Sequence, residues 1–254
     1  MPVPGEVKNP TLLDTRNLTF VSDGARINGY LARPRGDGPF ASVIVIHEAF
    51  GLNEHIQGLA RRFANAGFIA LAPDLYSRSA VQRRATSQDL IAKMISLLDL
   101  TQVHDLEAAA KVLRQERGSN GKVGSIGFCS GGRATLLFAC SSEQVDPAID
   151  CWGGSTRTAW QDTKSTAERP TPFMELTPNL ACPLFVVIGE VDGDPSPDHG
   201  REFESRAHES SRTGRRSCHE HCHRKRAARQ RGQTKAYPQP ESPKFMPPPP
   251  RSSS

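Results

Sequence analysis

The feature that most constrains this chain is an alternation. Short continuous runs of β-branched and aliphatic residues are each followed by a stretch with helical spacing. SVIVIH (42–47) and FIALAP (68–73) read as buried parallel strands, and KVGSIGF (122–128), PAIDCWGG (147–154) and CPLFVVIGEVD (182–192) as three more. Between them, HIQGLARRFANAG (55–67) puts Ile56, Leu59, Ala60 and Phe63 on one helical face and stops at Gly67. SQDLIAKMISLLDL (87–100), VHDLEAAAKVLRQER (103–117) and GGRATLLFAC (131–140) also read as helices. SPDHGREFE starts a last helix, with Ser196 as N-cap and Pro197 at its first position. Upstream, NLTFVSDGARINGYLARP (17–34) alternates about Asp23-Gly24, which predicts a β-hairpin. Strand–helix alternation over about 190 residues predicts an α/β fold with a doubly wound, mostly parallel sheet.

The pattern stops near Ser205. Residues 201–254 contain no Val, Ile, Leu or Trp but hold ten Arg and seven Pro, and end in PPPPRSSS. They carry 13 Lys and Arg against five Asp and Glu, a balance of +8, which leaves −3 for residues 1–200. A segment so poor in apolar side chains cannot offset its chain entropy by burial. The expected organisation is therefore one α/β domain over residues 1–205 and a basic, Pro/Arg-rich disordered tail over 206–254. The chain has no apolar run of 18 residues and its first ten residues, MPVPGEVKNP, lack a signal-peptide pattern, so a cytoplasmic location is the expectation. In that setting six cysteines read as reduced thiols.

One cysteine stands apart from the core type assumed for Cys140 and Cys182. Gly127-Phe128-Cys129-Ser130-Gly131 is G-x-C-x-G between a strand and a helix, the nucleophile-elbow pattern with cysteine in place of serine. The glycines permit a sharp turn, the helix N-terminus favours a thiolate, and the Ser130 N–H faces the place where an oxyanion develops.

With that elbow on the page, the chain resembles the dienelactone hydrolase family of the α/β-hydrolase fold over about residues 15–205. The resemblance rests on VIVIHEAFGLNEHI (43–56), GFIALAPDLYSR (67–78), GFCSGG (127–132), CWGG (151–154) and GEVDGDPSPDH (189–199). It implies that Cys129 is the nucleophile and that Glu48 helps form its thiolate. Ala49 N–H would be the second oxyanion donor beside Ser130, and Asp192, with Asp194 as competitor, the acid that orients a histidine. Arg78 would bind a substrate carboxylate. Trp152 and Phe128 read as core packing, with pocket lining as the alternative. His47 and His199 read as structural residues. No cofactor and no metal are implied, and the partner is a small ester or lactone.

The family pattern breaks at the histidine. It should follow the acid by some thirty residues, after one more strand and before a final helix. Here that region reads RRSCHEHCHRKRAARQRG, with His219, His221 and His223 near the right distance but no apolar strand before them. The fold is thus expected to lack its last strand and helix. A changed reading frame or aberrant splice near Arg206 accounts for the break, and translating the other two frames of the DNA tests it. Two functions follow: a cysteine hydrolase, or a family member impaired in catalysis. Nucleic-acid binding by the tail ranks below both, because its charge carries no recognition module. CHEHCH (218–223) offers zinc-type ligands at spacings that match no common zinc module.

Overall fold

A computed structural model of the chain describes residues 5–79, 85–154, 167–171 and 173–212. The hairpin forms as expected from β1 (Leu13–Ser22) and β2 (Ala25–Pro34). Asp23 at φ 46° and Gly24 at φ 75° make the two-residue turn whose twist matches that of the strands. β3 (Phe40–Ile46), β4 (Ile69–Pro73), β5 (Ser119–Phe128), β6 (Ala148–Cys151) and β7 (Leu184–Val187) complete a seven-stranded sheet in the order β1-β2-β4-β3-β5-β6-β7. β1, β2 and β4 pair antiparallel, and β4, β3, β5, β6 and β7 run parallel.

The β-branched run of β3 shows why the parallel strands hold. Ile44 and Ile46 pack on one face with Leu106, Leu136 and Phe138, while Val43 and Val45 pack on the other with Ile56, Ala60 and Ala64. Each fully buried side chain of this kind contributes about 1.5–3 kcal/mol of transfer free energy. The first face is covered by α3 (Asp99–Gln115) and α4 (Ser130–Ser141), the second by α1 (Glu54–Asn65). The Asn53 side chain caps α1 by accepting from the Ile56 N–H.

Three boundaries differ from the sequence reading. The helix expected over 87–100 is two: α2 (Ser87–Ile95), opened by a Thr86–Asp89 capping box, and α3, which begins at Asp99 after an extended Leu98. Apolar spacing continues through the break, so periodicity could not reveal it. The break is held from outside the segment, since the Asp99 N–H donates to Glu168 O at 2.9 Å. A short helix, α5 (Phe173–Leu176), lies in PTPFMELTPN, where no element was expected. The last helix, α6 (Pro197–Arg212), starts where expected but runs past residue 205, anchored by the buried Phe203. Among the described residues the sheet ends at β7 and only α6 follows. The rest of the tail, 213–254, lies outside the described residues.

Candidate active site

Cys129 is the single residue between β5 and α4 and is half-buried. Its φ of 53° with ψ −119° is a conformation that L side chains rarely adopt and that stores about 1–3 kcal/mol. The turn is enforced from both sides. A β-carbon on Gly127 would lie 1.9 Å from Gly131 O, and one on Gly131 would lie 2.4 Å from Ile46 O. Both glycines are thus demanded by close backbone approach. The Cys129 N–H donates to Cys151 O and its carbonyl accepts from the Arg133 N–H, each at 3.0 Å, so neither end of the strained residue can relax.

The thiol is held protonated. Burial pushes the Cys129 pKa up, the Ser130 N–H at the sulfur pulls it down, and the negative charges of Glu48, Asp192 and Asp194 push it up again. The structure therefore brings Glu48 and Asp192 into electrostatic range of Cys129, with Asp194 beside them. It also places the Ser130 N–H on the sulfur.

Ala49 is buried, and the peptide that carries its N–H is fixed through the opposite end. Glu48 O accepts from the Gly51 N–H at 3.2 Å and from His47 Nδ1 at 2.7 Å. His47 Nε2 accepts from the Leu75 N–H at 3.1 Å. With one nitrogen donating and the other accepting, the ring is neutral, and burial lowers its pKa accordingly. In a trans peptide the N–H points away from the C=O, so His47 aims the Ala49 N–H by holding Glu48 O. Tyr76, edge-on to His47 at 4.9 Å, donates its hydroxyl to Ala49 O at 2.8 Å and locks the next peptide. His47 is structural, as read, but it supports an expected oxyanion donor.

Asp192 follows β7 in a turn closed by its N–H on Gly189 O, and its Oδ1 accepts from the Asp194 N–H at 3.3 Å. Burial raises the Asp194 pKa, His199 lowers it and Asp192 raises it. His199 caps the start of α6, its Nδ1 accepting from the Ser196 N–H while its own N–H donates to Ser196 Oγ. Trp152 is partly exposed and packs on Phe128, ring centroids 5.8 Å apart. CHEHCH and the candidate bases His219, His221 and His223 lie outside the described residues.

Arg78 does not fit the role expected of it. Its guanidinium grips both oxygens of the buried Asp105, at 2.6 Å in the shortest contact, and donates to Ser22 O at 3.0 Å. The carboxylate in its fork belongs to α3, so Arg78 ties the hairpin end to that helix. The mistake is a physical one: bidentate geometry suits any carboxylate, and the nearest is the protein's own.

Sequence reasoning passed over two buried groups. Arg133 and Asp99 form a bidentate ion pair, 2.7 and 3.0 Å, beneath α4. Asp150 on β6 is fully buried, and burial pushes its carboxyl up to about 7 against the opposing Gly153 N–H. The signal for Asp150 was a carboxylate inside the apolar run AIDC.

With this geometry in view, the profile described as "Dienelactone hydrolase family" matches residues 27–224. The chain is 31% identical over 193 residues to a protein of Methylorubrum extorquens provisionally named carboxymethylenebutenolidase, covering 75% of this chain and 60% of that protein. It is 34% identical over 184 residues to one of Yersinia pestis with the same provisional name, covering 71% and 67%. The chain thus spans about three-fifths to two-thirds of the curated relatives it matches. Its fold superposes on the crystal structure of a provisionally named dienelactone hydrolase from Klebsiella pneumoniae with TM-score 0.70 at 26% identity, covering 78% of this chain and 82% of that one. The strained cysteine between two sterically required glycines, on the third strand from one end of a sheet with this order, is thus placed in a lineage, and the chain belongs to the dienelactone hydrolase family.

Proposed function

We propose that this chain hydrolyses an ester or lactone through a Cys129 acyl-enzyme. The observation that carries the reading is the elbow itself: a half-buried thiol in strained geometry at the N-terminus of α4, with the Ser130 N–H on its sulfur. Glu48 accepts the thiol proton as Sγ attacks the carbonyl carbon. The oxyanion forms between the Ser130 and Ala49 N–H groups. It collapses by breaking the C–O bond, the leaving alkoxide takes a proton, and a thioester remains. Water then cleaves the thioester, releasing the acid and returning the thiol. Asp192 orients the base that activates this water. The other titratable donors, His47 and His199, already have backbone N–H groups on their rings, so the base is drawn from His219, His221 and His223. No cofactor enters these steps, and the substrate is a small molecule.

Turnover of an activated aryl ester and of a dienelactone by wild type, Cys129→Ala and His223→Ala tests the scheme. Equal rates for wild type and Cys129→Ala would end the nucleophile assignment. A second reading, a family member impaired in catalysis, is favoured by one observation: among the described residues no strand follows β7 to carry a base. Acylation without turnover, seen by mass spectrometry as a stable adduct on Cys129, would select it.

A further inference from the structure

Asp150 is the one buried carboxyl that this scheme does not use, and its place is unusual. A β-carbon on Gly132 would lie 2.3 Å from Asp150 Oδ1 and 2.8 Å from the Gly153 Cα. One on Gly153 would lie 2.2 Å from the same oxygen and 2.5 Å from the Gly132 carbonyl carbon. The carboxyl is therefore wedged where the first turn of α4 touches the loop after β6, and both residues are glycine because it fills their side-chain space. That loop continues to Gly154, where a β-carbon would lie 2.2 Å from Asp194 O. One unbroken set of contacts runs from the helix behind Cys129, through Asp150 and Gly153, to the loop of Asp192 and Asp194.

We propose that Asp150 is a positioning residue of the site: its carboxyl sets the contact between the Cys129 elbow and the acid loop. The proposal rests on Cys129 as the reactive thiol but not on turnover. A carboxyl in this position works in its neutral form. Its neighbours on β5, Ser125 and Gly127, carry no charge, nor does Val186 opposite it on β7. On α4, Arg133 directs its guanidinium to Asp99. The titratable group coupled to Asp150 is its strand neighbour Cys151, whose thiol burial pushes up to about 11, followed by the Asp150 charge. With the Gly153 N–H as its donor and no cation near, an ionised Asp150 must draw water or donors toward itself. That separates α4 from Gly153 and withdraws the Ser130 N–H from the sulfur.

The test reads Cys129 directly, by its alkylation with iodoacetamide from pH 5.5 to 8.5, followed on the Cys129 peptide by mass spectrometry. A thiol with a raised pKa reacts about tenfold faster per pH unit throughout this range. In wild type the line should bend at about pH 7 and fall about fivefold below its acid-limb extrapolation, the worth of one hydrogen bond to the sulfur. Asp150→Asn, shaped alike but unable to ionise, should give a straight line within about twofold of the wild-type acid limb. Asp150→Ala, which removes the wedge, should lower the rate about fivefold at every pH. A straight wild-type line overturns the proposal and needs no variant to fold. So does a bend that persists in Asp150→Asn, or an Asp150→Ala rate equal to wild type. A hydrolytically silent chain that still shows the bend would sink the hydrolase reading and leave this one standing.

Discussion

Asp150→Asn should behave in a way that a simple loss of a native side chain does not. In the unfolded chain an aspartate titrates near 3.9, whereas in the fold burial pushes Asp150 up to about 7. The folded state thus binds one proton more than the unfolded state between about pH 4 and pH 7. By linkage, Asp150 leaves stability intact below pH 4, removes it progressively as pH rises to 7, and removes no more above that. About three decades of displacement correspond to about 4 kcal/mol, an upper figure. Asn keeps the shape and an acceptor for the Gly153 N–H but cannot ionise. It should be within about 1 kcal/mol of wild type at pH 4.5 and about 3 kcal/mol more stable at pH 8. For a domain of this size that is a gain of roughly 6–12 °C in melting temperature. Urea denaturation of both proteins at the two pH values measures it, and the common titration of every other group cancels in the difference. A stability difference that does not change between pH 4.5 and 8 would refute the claim that the buried carboxyl is neutral in the fold.

Four further outcomes follow from the same structure. Gly131→Ala puts a β-carbon 2.4 Å from Ile46 O, between two backbones that cannot yield, and should cost 3 kcal/mol or more, roughly the upper end of overpacking penalties, read by thermal melting. Asp99→Asn strands the buried Arg133 guanidinium and should cost about 3–5 kcal/mol, much of it recovered in Asp99→Asn with Arg133→Met, as a urea double-mutant cycle would show. His47 is buried neutral with a lowered pKa, so the stability it gives is present above about pH 6.5 and lost as pH falls below; His47→Phe should abolish that acid slope while lowering kcat rather than raising KM, since it frees the Glu48–Ala49 peptide. Cys129→Gly relieves the positive φ of the elbow, and its melting temperature should stay level or rise although the thiol is gone.

The legible parts of this molecule were those written locally. Asp23-Gly24 announces its turn because a two-residue hairpin needs positive φ at both positions. Gly127 and Gly131 announce the elbow because no other residue allows α4 to approach β5 and β3 so closely. What stayed hidden depends on partners far along the chain. The fork of Arg78 was readable as a carboxylate binder, but not that Asp105, on another helix, would fill it. The split between α2 and α3 is made by Glu168, which no helical periodicity near Leu98 could signal. Asp150 sat in plain view within AIDC, yet its meaning needed Gly132 and Gly153 folded against it. The acid loop was legible in GEVDGD, but the sequence could not choose between Asp192 and Asp194, and in the fold both act on the thiol.

The register of the sheet divides this centre into halves of unequal independence. The elbow and the Glu48–Ala49 peptide hang on the β3–β5 pair, two adjacent strands bonded from Val43↔Gly124 to Ile46↔Gly127. The acid rides on β7, two strands farther out and joined only through four residues of β6. A lineage can therefore rewrite everything after β6 and still present the same cysteine, with the same strain and the same oxyanion donors. Changes at the C-terminal side alter how an acyl group leaves and not whether one can be accepted. Such a division lets a hydrolase drift toward an acyl carrier or a covalent trap without ever losing its nucleophile.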